Sequence, residues 1–216
     1  MTRTRVLAAL IMAPAAILGI LFLPTEWMVM LAALLFLAGL WEWLELAEIE
    51  DTLARTVLLV ANLALMVALV WASRTSSGIN YVLIQLTAVL GVVWAADTGA
   101  YFTGRKLGRR KLAPNISPNK TIEGMAGGVI AGVITGTLVG LLAGAEPHEL
   151  GWVALVSMVA ALASVIGDLF ECLLKRHAGV KDSGHLIPGH GGILDRIDGV
   201  LAALPVFALG KAVAGF

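Results

Sequence analysis

The chain is poor in charge and has a single cysteine. Only 14% of its 216 residues are Asp, Glu, Lys or Arg, against about 25% in an ordinary soluble domain. The 15 basic and 15 acidic residues cancel, so no overall field draws the chain to nucleic acid. Cys172 stands alone, which excludes an intramolecular disulfide and a Cys-rich metal cluster. The chain also has no Gly-x-Ser-x-Gly elbow, no His-Glu-x-x-His zinc motif and no Walker A loop. Internal repeats of the kind found in many transporters are missing too.

What the chain has instead is long apolar runs. It is 59% hydrophobic, with a mean hydropathy of +0.90. A spanning helix needs roughly 20 mostly apolar residues. Seven segments qualify: 6–23, 27–46, 54–72, 80–102, 122–143, 150–174 and 191–214. The first follows Arg3 and Arg5 and exceeds the ~7–15 apolar residues of a signal peptide, so it reads as an uncleaved span. Lys and Arg in short loops mark the inner side. Placing the N-terminus inside gathers Arg3, Arg5, Arg55, the basic cluster 105–120 and Lys175, Arg176 and Lys181 there, and leaves Arg74 and Lys211 outside. The expected fold is therefore all-α, a polytopic transmembrane helix bundle of about seven spans, N-terminus in. Residues 1–79 would form spans 1–3. Residues 80–216 would form a second domain of spans 4–7 with cytoplasmic loops 103–121 and 175–190.

Polar residues inside apolar spans are costly and mostly functional. Asp97 lies near the inner end of span 4 and Asp168 near that of span 6. Asp168, Cys172 and Lys175 share a helical face, as do Asp195 and Asp198 at the start of span 7. Glu42 and Glu45, between tryptophans at the inner end of span 2, read equally as interfacial acids or as support for a site. Glycine recurs at 124, 128, 132, 136, 140 and 144. Such a bare stripe permits close helix approach, inside the bundle or between subunits of a homodimer. In the loop before it, Ser117-Pro118-Asn119-Lys120-Thr121 combines a shaped turn, a cation and a helix cap. That is an anion site in the making.

The densest stretch is Lys175 to Asp198, with four basic side chains, three aspartates and three histidines. Carboxylates beside a phosphate-binding surface suit Mg²⁺, which takes hard oxygen ligands and lets substrate phosphates complete its shell. His190 would serve as a hydrogen-bonder to phosphate or to the metal shell. His177 and His185 have no assigned role.

These residues carry a resemblance. Lys175-Arg176, Lys181-Asp182, Pro188, His190-Gly191-Gly192, Asp195-Arg196 and Asp198 match the signature of the phosphatidate cytidylyltransferases (CDP-diacylglycerol synthases). The departure is Cys172, where that signature usually has serine. Asp97-Thr98-Gly99-Ala100-Tyr101 with Gly104-Arg105, and Ser117 to Gly124, resemble two further elements of the family. The resemblance implies that CTP and phosphatidate give CDP-diacylglycerol and pyrophosphate. It also implies catalytic roles for Asp97, Asp168, Asp195, Asp198 and Lys175. Asp168, Asp195 and Asp198 would hold Mg²⁺, with room for a second cation. Arg105, Ser117, Asn119, Lys120, Thr121, Glu123, Arg176, Lys181, Asp182, His190, Gly191, Gly192 and Arg196 would bind substrate. The lipid would enter from the inner leaflet and CTP from the cytoplasm. The expected location is a bacterial inner membrane. The rival readings are a CTP-dependent lipid or polyprenol kinase, a cytidylyltransferase for another lipid phosphate and, from a different class, an ion-coupled transporter.

Overall fold

The computed structural model describes residues 18, 19, 22, 27, 30, 34, 37–39, 41–43, 79–184 and 191–215, with side chains described from residue 88 in the first long helix. Most of spans 1 and 2, all of span 3, Glu45, and the segment with His185, Pro188 and His190 lie outside the described residues. Within them the protein is mostly helical. Helix α1 is Ile79–Leu107, α2 Ile122–Leu142, α3 Leu150–His177 and α4 Leu194–Ala214. The last three are long and apolar enough to cross a membrane. Residues 37–39 and 41–43 are helical as well.

The loop predicted between spans 4 and 5 contains a small hairpin. Strand β1, Lys111–Ala113, pairs antiparallel with β2, Ser117–Thr121. Strands dominated by Lys111, Ser117, Asn119, Lys120 and Thr121, joined through Pro114-Asn115, carry no alternating apolar signal. The pairing is instead fixed by its ends. Ile122 N donates to Arg110 O at 3.0 Å, and the Glu123 Oε2 atom accepts from Arg109 N at 3.0 Å and Arg110 N at 3.1 Å. Thr121 then caps α2 as expected, its Oγ1 accepting from Gly124 N at 3.1 Å.

The glycine stripe faces inward. Gly124, Gly128, Gly132 and Gly136 are the buried residues of α2. A Cβ added at Gly128 would lie 2.5 Å from Ala96 O and 3.0 Å from Ala100 Cβ, both on α1. One at Gly140 would lie 2.9 Å from Val153 Cγ1 of α3. The missing side chains let three backbones approach, which is the main source of attraction between helices in lipid. The opposite face of α2 turns Ile130, Ile134 and Leu138 outward. Behind the stripe, Val89 and Val93 of α1, Val156 and Ala160 of α3 and Ala203, Leu204 and Phe207 of α4 form the largest buried cluster. A second cluster joins Trp43 to Leu174 and Leu194, so the N-terminal helical residues pack where α3 ends and α4 begins.

Candidate active site

The polar ends of α1, α3 and α4 meet beside the hairpin. Asp97 of α1 is within electrostatic reach of Asp168, Lys120 and Arg196. Asp198 of α4 is within reach of Asp168 and Asp97. Lys120, on β2, forms an ion pair with Asp168. The structure thus gathers Asp97, Lys120, Asp168, Arg196 and Asp198, which come from four separate elements. On strand β2 Lys120 is half-buried while its neighbour Asn119 is exposed.

Lys175 is the hinge of the second half. Its Nζ donates to Asp195 Oδ1 at 2.5 Å and to Glu171 Oε2 at 2.9 Å. The i, i+4 spacing to Glu171 follows from the helix, and the bond to Asp195 ties α3 to α4. The other oxygen of Asp195 accepts from Ser183 N at 2.8 Å, Gly192 N at 2.9 Å and Ser183 Oγ at 3.0 Å. Both oxygens of Asp195 therefore have protein partners. Gly191 has φ +81, and a Cβ there would fall 2.5 Å from Asp195 Oδ2. The absence of a side chain at Gly191 admits that carboxylate.

Glu171 had no assigned role in the sequence, and it is central here. It is 2% exposed, and its Oε1 is buried with no hydrogen-bond partner among the described residues. Ligand atoms of Asp168, Glu171 and Cys172 lie within 4.8 Å of one another. Cys172 Sγ is 3.5 Å from Asp168 Oδ1. A buried carboxylate oxygen without a partner, among other carboxylates, is what a hard cation satisfies. The donor set therefore fits a divalent metal. The i, i+4 step from Glu171 to Lys175 was the one signal of its place.

The remaining expected residues fall around this centre. Arg176 reaches the hairpin turn, its Nε donating to Ile116 O at 3.3 Å. Arg105 donates to the Tyr101 hydroxyl at 3.1 Å. Lys181 and Asp182 are exposed and Ser117 half-buried. Glu123 is engaged in holding the hairpin. Glu42 is 1% exposed; it accepts hydrogen bonds from Ile193 N at 3.0 Å and Leu194 N at 2.8 Å, and its Oε2 and Asp195 Oδ2, each 3.0 Å from Ser183 Oγ, share that single hydroxyl donor.

Residues 71–213 match the sequence model of the cytidylyltransferase family. A phosphatidate cytidylyltransferase of Pseudomonas aeruginosa is 35% identical over 260 aligned residues, covering 96% of this chain and 96% of that protein. The alignments to others are shorter. The Haemophilus influenzae enzyme of the same name is 47% identical over 58% of this chain and 45% of its own length. The Bacillus subtilis one is 48% identical over 53% and 42%. Among solved structures, an intramembrane enzyme for archaeal membrane lipid biosynthesis matches with 28% identity and a TM-score of 0.45, over 60% of this chain and 83% of that one. With two thirds of its length matched by the family model and nearly all of it aligned to the Pseudomonas protein, the chain belongs to the cytidylyltransferase family.

Proposed function

We propose that the chain is a phosphatidate cytidylyltransferase. An oxygen of the phosphatidate phosphate attacks the α-phosphorus of CTP. The bond from that phosphorus to the bridging oxygen breaks, and pyrophosphate leaves. The nucleophile is already an anion, so no general base is required. The carrying observation is the meeting of Lys120, Asp168, Glu171, Lys175 and Asp195 at one end of the helices. Cations and metal-competent carboxylates alternate there, as phosphoryl chemistry by positioning and electrostatics requires. The relatives that carry the name of this activity support the reading.

In this reading Asp168, Glu171 and Asp198 would hold Mg²⁺. Bound there, the metal would neutralise charge on the nucleotide phosphates. Lys120 would leave Asp168 for a phosphate oxygen. Arg196 and Lys181 would hold further phosphates, and Asp97 would orient the shell. Asp195 orients Lys175, and would join the metal only by releasing it. Arg105, Ser117, Asn119, Thr121 and Arg176 would frame the nucleotide through the 103–121 loop, and Asp182, His190, Gly191 and Gly192 would frame it through the 175–190 segment.

The full arrangement would have seven spans, with the N-terminus and both basic loops facing the cytoplasm across a bacterial inner membrane. Residues 1–79 would form the N-terminal helices and 80–216 the catalytic domain. Phosphatidate would enter from the inner leaflet. A homodimer would use a surface other than Gly124, Gly128, Gly132 and Gly136, which are buried within the chain.

The deciding assay follows pyrophosphate release by detergent-purified protein with CTP, phosphatidate and Mg²⁺. Release should need both substrates and fall at least about 100-fold in Asp168→Asn, as for loss of a group that stabilises developing charge. CTP-dependent phosphorylation of a lipid alcohol without pyrophosphate would instead establish a kinase.

A further inference from the structure

Glu42 lies outside the segment matched by the family model, residues 71–213, yet it is built into the site. Helix α4 starts without a cap of its own: Ile193 occupies the cap position and has no side chain that can accept a hydrogen bond. The first turn of a helix leaves N–H groups that must find acceptors. Glu42 supplies them from the other end of the sequence. One carboxylate oxygen takes Ile193 N and the other takes Leu194 N. The second oxygen also contacts Ser183 Oγ, which lies 3.0 Å from Asp195 Oδ2. Two glycines make room for this carboxylate. A Cβ at Gly184 would lie 2.6 Å from Glu42 Oε1, and one at Gly192 would collide with Oε2.

We propose that Glu42 is a positioning residue for the reaction. It fixes the start of α4 and, through Ser183, the rotamer of Asp195. Asp195 in turn holds Lys175 against Glu171 and the cation-competent cluster. The N-terminal helix would thus be a working part of the catalytic centre as well as an anchor. This rests on the proposed activity for its turnover arm, but its geometry can be tested without turnover.

The test compares wild type, Glu42→Gln, Ser183→Ala and the double variant, with Glu146→Gln at an exposed distant position as control. Three quantities are read in detergent: kcat and KM for CTP, Mn²⁺ affinity by electron paramagnetic resonance, and melting temperature. Glu42→Gln keeps the shape but loses one acceptor oxygen. Groups that orient metal ligands typically change affinity or rate by about 10–100-fold. We expect such a loss in kcat and in Mn²⁺ affinity, with KM for CTP changed by less than about threefold. The double variant should be no worse than Glu42→Gln, because the two residues act in one chain. A Glu42→Gln protein with unchanged kcat and Mn²⁺ affinity would overturn the proposal. So would a loss of activity no larger than the loss of folded protein, or a double variant with additive losses. If wild type binds Mn²⁺ but makes no CDP-lipid, the activity is wrong, and the Mn²⁺ comparison still decides the role of Glu42. Wild type with neither property would overturn both.

Discussion

Lys175 is 7% exposed and stands between two carboxylates. Replacing it with methionine removes the cation and leaves Glu171 and Asp195 facing one another in a dry site. Breaking a buried pair in this way costs about 3–5 kcal/mol. Lys175→Met should therefore lower the melting temperature markedly and abolish turnover, which a thermal scan alongside the pyrophosphate assay would read. Cys172 makes a different prediction. Its sulfur, 3.5 Å from Asp168 Oδ1, is a soft donor beside hard ones, and soft donors favour soft metals. Cd²⁺ should inhibit the wild type at least about tenfold more strongly than Cys172→Ser. Cys172→Ser should keep its Mg²⁺-supported activity. Equal Cd²⁺ inhibition of both would place the thiol outside the metal shell.

At the scale of elements, the α1–α2 contact depends on what glycine omits. Gly128→Ala would drive a methyl group into Ala96 O, a backbone atom that cannot rotate away. Overpacking of this kind costs about 1–3 kcal/mol. Gly151, where an added Cβ would meet nothing within 4 Å, is the control, and Gly151→Ala should be neutral or slightly stabilising. Melting curves of the two variants would separate packing from helix propensity. Much of this layer was readable in the sequence. The four-residue glycine period announced a packing face, and the capping role of Thr121 and the helical face of Asp168, Cys172 and Lys175 followed from spacing alone. The hairpin did not, because its strands are held by backbone pairing and by Glu123 rather than by an apolar face. Glu42 was visible as an acid at a helix end but not as the cap of α4. That bond joins residues 151 apart in the chain, and no local period records it.

For the whole molecule, the basic loop and the outer loop should label from opposite sides of the membrane. In a Cys172→Ser background, Lys106→Cys should react with an impermeant maleimide only from the cytoplasmic side, and His148→Cys only from the other. Labelling of both from one side would refute the proposed topology. The order of the basic loop has a further consequence. Its hairpin is closed by Ile122 to Arg110, clasped by Glu123 at Arg109 and Arg110, and touched from α3 by Arg176. Its conformational entropy is lost when the chain folds rather than when the nucleotide arrives. Capture of the triphosphate should then proceed in one kinetic phase without a slow ordering step. Its association rate should fall steeply with ionic strength, and its heat-capacity change should be small compared with that of a segment that folds on its ligand.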